Sequence, residues 1–173
     1  MTNSITIRRT KEEDAKAISL AFKNAYLPLF EAQKLSRETI RQIYCQNNPK
    51  EIAIRIRENY FFIAEDTKKS KLVGVIGLRK DEGSQIYNRI STFFVIKEYQ
   101  STGVGSMLYK KLYSLVIKLN VNKLVVSSSL LAEPIYSHWG FKRIKIITKN
   151  YPNGDKYKNV WMEKVINPGG GRA

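Results

Sequence analysis

Cysteine and histidine are almost missing: Cys45 and His138 each stand alone in the 173 residues. A single cysteine cannot close an internal disulfide. One residue of each kind also leaves a Cys/His zinc site or a Cys–His nucleophile pair little support, so no metal is expected. A reducing, cytoplasmic setting is the expected one. Long apolar runs are missing too. None reaches the roughly 18 residues that a membrane span requires. The opening MTNSITIRRTKEED has no apolar segment of the kind a secretory signal carries, and no membrane association is expected.

Acidic residues are scarce. Thirty Lys+Arg stand against fifteen Asp+Glu, for a formal charge of +15. Such a balance attracts anions, whether nucleotide phosphates, nucleic acid or anionic lipid. The plain alternative is a lysine-rich solvated surface. From residue 99 to 132 there is no Asp or Glu at all, while Lys110, Lys111, Lys118 and Lys123 fall inside the window. A nearby carboxylate would repel a multiply charged ligand, so this stretch suits a phosphate site.

The length fits one domain, expected over residues 1–166, with 167–173 as a flexible tail. A hydrophobic share of 43% suffices for a sizeable core. Residues 4–9 alternate as a first strand. Thr10 followed by Glu13 fits a capping box, opening a helix over 11–26 that Pro28 ends or interrupts. Ser36 is placed to cap a second helix, which Asn47, Asn48 and Pro49 break. Residues 50–59 fit strand or helix, with helix preferred. Residues 60–65, 72–78 and 90–96 read as three strands of an antiparallel meander, with turns at 66–70 and 81–84. Val104, Leu108, Leu112, Leu115, Val116 and Leu119 form one apolar helical stripe. A strand at 123–127 follows, implying a parallel pair across the helix. A short helix over 132–139 ends at Gly140, and strands at 143–148 and 159–165 close the chain. Cys45 is expected in the core, and His138 on a helix surface.

Residues 100–105, Gln-Ser-Thr-Gly-Val-Gly, join a strand to a helix. Glycine lets the backbone approach a ligand closely. A helix N-terminus offers unpaired N–H groups and partial positive charge, which together make an anion site. A tight turn without a ligand has the same sequence. The loop is not a phosphate-binding Gly-Lys-Ser/Thr loop, nor a dinucleotide Gly-x-Gly-x-x-Gly, because position 108 is Leu.

Gln100-x-x-Gly103-x-Gly105 after an apolar strand resembles motif A of the GNAT superfamily of N-acetyltransferases. Tyr136-Ser-His-Trp-Gly140-Phe141 resembles that family's Tyr-x-x-x-Gly-Phe signature at the expected distance downstream. The likeness spans about 4–165. It implies an α/β (α+β) fold: a mixed, mostly antiparallel sheet of about seven strands, splayed between strands 4 and 5 and flanked by about four helices. Acetyl-coenzyme A would be the cosubstrate in that gap. The backbone of Ser101, Thr102, Gly103, Val104, Gly105 and Ser106, with Gln100 ahead of them, would hold its pyrophosphate. The backbone of Phe93, Phe94 and Val95 would pair with the pantetheine arm. Ser129 stands where many members have a pantetheine-contacting asparagine. Ser101 and Thr102 replace a frequent glycine and a basic residue.

The implied reaction is attack of a neutral amine on the thioester carbonyl. Tyr136 would be the general acid at the departing thiolate, and Val95 N–H an oxyanion donor. The family's frequent strand-4 glutamate is missing; Glu31, Glu65 and Glu82 are the nearest conceivable substitutes. The resemblance implies an acceptor site built by 26–59 and 148–159. It leaves open a small-molecule or protein amine, an RNA-linked amine, or a regulatory module with weak catalysis, as monomer or homodimer.

Overall fold

The computed structural model describes residues 4–80, 83 and 85–166. Seven strands and five helices follow in order: β1 (Ile5–Arg9), α1 (Ala15–Ala32), α2 (Arg37–Cys45), α3 (Pro49–Glu58), β2 (Tyr60–Asp66), β3 (Lys71–Lys80), β4 (Tyr87–Val95), α4 (Val104–Lys118), β5 (Lys123–Ser129), α5 (Glu133–His138), β6 (Lys142–Asn150) and β7 (Lys156–Val165). The sheet order is β1-β2-β3-β4-β5-β7-β6. Its pairs are antiparallel except β4 with β5. This is the mixed, mostly antiparallel sheet expected, flanked by five helices. Of the turn at 81–84, residues 81, 82 and 84 lie outside the described set, as does the expected tail.

Both faces of the sheet are covered, which explains why β2 reads as a continuous apolar run rather than an alternation. Phe61 and Ile63 point to one side and pack with Ile18, Phe22, Ile52 and Ile56 of α1 and α3. Phe62 and Ala64 point to the other and pack with Val104, Leu108, Leu112 and Val116 of α4. The α4 stripe read from the sequence is therefore its buried face. A Cβ on Gly74 of β3 would lie 2.9 Å from Leu108 Cδ1, so glycine there sets how closely α4 rides on the sheet.

Three local readings are corrected. Pro28 does not end α1, which runs on to Ala32. The backbone bond it removes would have gone to Asn24, on the exposed side, and Phe30 beyond it is fully buried, so the apolar contact outweighs the lost bond. The N-terminal box is built one residue later. Asp14, not Glu13, reaches back, accepting from Lys11 N at 2.7 Å. Thr10 is instead buried and donates its hydroxyl to Phe61 O at 3.1 Å. Cys45 ends α2 exposed rather than in the core. Its neighbour Tyr44 turns inward, packing edge-on against Phe22.

Candidate functional site

β4 is the strand that makes room. It pairs with β5 at only two positions, Arg89↔Val125 and Ile90↔Val126. Its register against β3 shifts between Gly77↔Ser91 and Val75↔Phe94. Thr92 takes a left-handed φ of 49° at that bulge. A bulge bends its strand and increases local twist, and here β4 leaves β5 from this point on. β5 meanwhile stays paired with β7 out to Ser129↔Asn159. The result is a cleft between two parallel strands.

Beyond the bulge, Ile96 N bonds Val73 O at 2.9 Å. Backbone groups alternate sides along a strand, so Phe94 also faces β3, while Phe93 and Val95 face the cleft. Side chains meet the two cleft-facing carbonyls: Tyr26 Oη donates to Phe93 O at 3.5 Å and Gln100 Nε2 to Val95 O at 3.0 Å. The Val95 N–H is thereby aimed into the cleft. Of the three residues expected to pair with a pantetheine arm, the backbone of two is presented to it and that of Phe94 is not.

The glycine loop sits at one end of this cleft. Ser101 and Gly103 have positive φ, 60° and 89°. A Cβ on Gly103 would meet nothing within 4 Å, so backbone conformation and not crowding selects glycine there. The first intrahelical bond of α4 runs from Met107 N to Gly103 O. The N–H groups of Val104, Gly105 and Ser106 are thus left without intrahelical acceptors. No side chain caps them and no acid stands in the first turn. Thr102 turns its hydroxyl back to Tyr99 O at 2.7 Å. Tyr99 in turn donates to Asp66 at 2.6 Å, an interaction that holds the Asp66 carboxyl below its usual range. The loop is therefore braced from behind while its front is open.

Tyr136 lies on the other side of the cleft, in α5. It is only 4% exposed. Its ring packs against Phe93 (6.2 Å between centroids), Trp139 and Phe141. Gly140, at φ 84°, lets Phe141 N return to Tyr136 O at 3.0 Å and closes the helix, which is why the Tyr-x-x-x-Gly-Phe spacing matters. Burial pushes the Tyr136 hydroxyl well above the ordinary phenol range, and nearby Tyr26 and Tyr109 push it further. Phe93 links the parts: its ring also lies 3.5 Å from where a Gly105 Cβ would be. Ser129 closes the β5 end with its hydroxyl turned inward, accepting from Ala132 N at 3.1 Å. His138 is exposed.

A cavity of about 210 Å³ adjoins the cleft. Phe22, Tyr26 and Phe30 of α1 and Ile43 and Gln46 of α2 form one wall, and Lys149, Tyr151, Tyr157 and Asn159 the other. These fall within or beside the two segments expected to build an acceptor site. Tyr26 was not singled out by sequence reasoning as a site residue. Its place at the cleft depends on α1 crossing β4, for which no local signal exists. Burial pushes its hydroxyl up to about 12. Glu65 is engaged by Arg8 of β1 at 3.0 Å, and Glu31 is exposed on α1. Glu82 lies outside the described residues. Among the described residues no cluster of three or more His, Cys, Asp or Glu side chains gathers to hold a metal ion.

The family model described as "Acetyltransferase (GNAT) domain" matches residues 31–154. This chain belongs to the GNAT acetyltransferase family. Membership makes it an acyltransferase by family. A search of curated protein sequences finds no match. Solved structures share the fold. A GCN5-related N-acetyltransferase from Rhodopseudomonas palustris, carrying the further name aminotransferase, class-II, is 22% identical with TM-score 0.78, over 95% of this chain and 97% of that one. The PaiA N-acetyltransferase of Thermoplasma acidophilum, solved in complex with coenzyme A, is 18% identical with TM-score 0.73, over 94% and 99%. A ribosomal-protein-S5-alanine acetyltransferase from Vibrio fischeri is 16% identical with TM-score 0.66, over 94% and 93%. At these identities the likeness is one of fold. No helix among the described residues of this GNAT domain is long and apolar enough to cross a membrane.

Proposed function

We propose that the chain is a cytoplasmic N-acetyltransferase, a single domain over residues 1–166, that moves an acetyl group from acetyl-coenzyme A to an amine by direct attack in a ternary complex. The observation that carries this reading is the cleft itself. One opened strand pair has uncapped helix N–H groups at one end and a buried phenol at the other, bridged by Phe93. The residues fit the cosubstrate: uncapped N–H groups suit a pyrophosphate, and the open edge of β4 suits an amide-bearing arm. When bound, acetyl-coenzyme A supplies the thioester acyl group.

The chain's own residues do the rest. The N–H groups at 104–106 and the loop at 101–103 anchor the phosphates. Phe93 and Val95 align the arm, and Val95 N–H is directed at the carbonyl oxygen to hold developing negative charge. Tyr136 holds a proton toward the departing sulfur. No carboxylate faces the cleft from β4, whose residues 87–95 contain none, so the amine loses its proton to solvent. The expected result is that Tyr136→Phe lowers kcat about 10²-fold, the lower range for a positioned acid, while leaving the acetyl-coenzyme A dissociation constant within about threefold. Thiol release with an amine acceptor measures the first and calorimetry the second. Unchanged turnover in that variant would remove Tyr136 from the chemistry.

A protein or RNA-linked amine is the second reading. The charge of +15 favours it, since a basic surface attracts polyanions. The small cavity favours the first.

A further inference from the structure

The cavity beside the cleft has a wall chemistry that narrows the acceptor, an inference resting on the acetyltransferase reading. Its volume is about 210 Å³, and an apolar cavity of about 150 Å³ holds a benzene ring. There is room for one ring and a few further atoms. The walls suit a ring. Phe22 stacks on Tyr26 at 4.3 Å and Phe30 meets Tyr157 edge-on at 5.8 Å. Aromatic surfaces so arranged offer a further ring dispersion and edge-to-face contact.

The polar groups point to the rest. Among the described residues no carboxylate lines the cavity, and the charged lining residue is Lys149. That ammonium lies 4.9 Å over the Tyr151 ring, at the exposed mouth. A dication or polyamine would meet a like charge and find no anionic partner. An acceptor bearing a carboxylate would gain a charge-assisted bond there, beside the amides of Gln46 and Asn159. The inner end is set by Tyr26, which bonds the cleft-facing carbonyl of Phe93, and by Asn159, which stands opposite Ser129 in the ladder. A bound amine pointing inward therefore arrives where β4 and β5 part.

We propose that the acceptor is a small monoamine whose aromatic body lies between the amine and a carboxylate, of which 4-(aminomethyl)benzoate is the simplest member. In the transfer the amine nitrogen bonds the acetyl carbon, the C–S bond breaks, and the amine's lost proton balances the thiol released.

The test compares 4-(aminomethyl)benzoate, benzylamine and spermidine as acceptors by thiol release, with acetyl-coenzyme A binding followed by calorimetry. Binding of N-acetylated 4-(aminomethyl)benzoate to the coenzyme A-loaded protein is measured the same way. 4-(Aminomethyl)benzoate is expected to exceed both other amines at least tenfold in kcat/KM, and its acetyl product to bind. Lys149→Met is expected to cut the ratio of 4-(aminomethyl)benzoate to benzylamine about tenfold, while Lys158→Met, on the opposite face of β7, leaves it in place. The proposal is overturned if spermidine or benzylamine is the best acceptor, or if Lys149→Met keeps the ratio. It is equally overturned if none of the three is used while acetyl-coenzyme A still binds. Absence of acetyl-coenzyme A binding overturns the acetyltransferase reading itself, and this proposal with it.

Discussion

As the proposed proton donor, Tyr136 stands where water is excluded, and that placement has a cost in acidity. Burial disfavours the phenolate, so the hydroxyl stays protonated far into alkaline solution. A free thiol ionises near pH 8.5, so complete transfer from Tyr136 to the sulfur is uphill. In the proposed reaction the residue acts by keeping a hydrogen bond on the leaving sulfur, with the proton balance closed by the amine. The sign of the pH dependence follows. Raising pH deprotonates the amine and speeds attack, while Tyr136 keeps its proton. The expected kcat/KM profile rises with the acceptor amine and shows no descending limb from a phenol near pH 10. A descending limb at that position, abolished in Tyr136→Phe, would contradict a buried donor. Tyr26 belongs to the same scale. Its hydroxyl ties α1 to β4 beside the Thr92 bulge, joining the neighbouring cavity to the cleft.

The start of α2 is latched to the turn between β6 and β7. Ser36 Oγ caps Thr39 N at 3.3 Å. Asp155 accepts from Ser36 N at 2.8 Å and from its hydroxyl at 2.7 Å, and Asn153 donates to Thr39 Oγ1 at 2.9 Å. The hydroxyls of Thr39 and Ser36, then the Ser36 N–H, hold the Asp155 carboxyl below its usual range. A depressed carboxylate stabilises above its unfolded value near pH 3.9 and loses that contribution as pH falls through the lower folded value. Asp155→Asn is therefore expected to melt below wild type at pH 7, with the gap narrowing as pH falls below about 3.9. A gap independent of pH would mean that the charge plays no part. The Ser36 cap was legible because serine before a periodic stripe is a local signal. α3 was harder: Ile52, Ile54 and Ile56 alternate like a strand. Asn48 capping Glu51 N at 3.1 Å and Pro49 at the first helical position decide for helix, burying Ile52 and Ile56, one turn apart. Pro28 misled because its exposed side tolerates a missing bond. The glycine loop and Tyr136 were legible as motifs. The bulge at Thr92, the Tyr26 contact and the cavity were not, because each arises where residues distant in sequence meet.

At the scale of the whole molecule, charge and architecture agree. The chain carries an excess of fifteen positive charges, and residues 99–132, which supply the loop, α4 and β5 of the cleft, contain no acid. β6 forms the edge of the sheet and carries Lys142, Arg143, Lys145 and Lys149, charges of the kind that discourage edge-to-edge pairing. On the proposed reading, the same field would draw a multiply anionic cosubstrate toward the uncapped end of α4. The most direct measurement is calorimetric titration with acetyl-coenzyme A of wild type, Gly103→Ala and Gly103→Glu. Gly103 has open space at its Cβ position, so both variants keep the fold apart from the strain of a left-handed residue, about 1 kcal/mol. Micromolar binding by wild type, weakened in Gly103→Ala and lost in Gly103→Glu with the circular dichroism spectrum unchanged, is the result expected. No binding by wild type, or equal binding by Gly103→Glu, would contradict a pyrophosphate site at this helix and, with it, the acetyltransferase reading of the cleft.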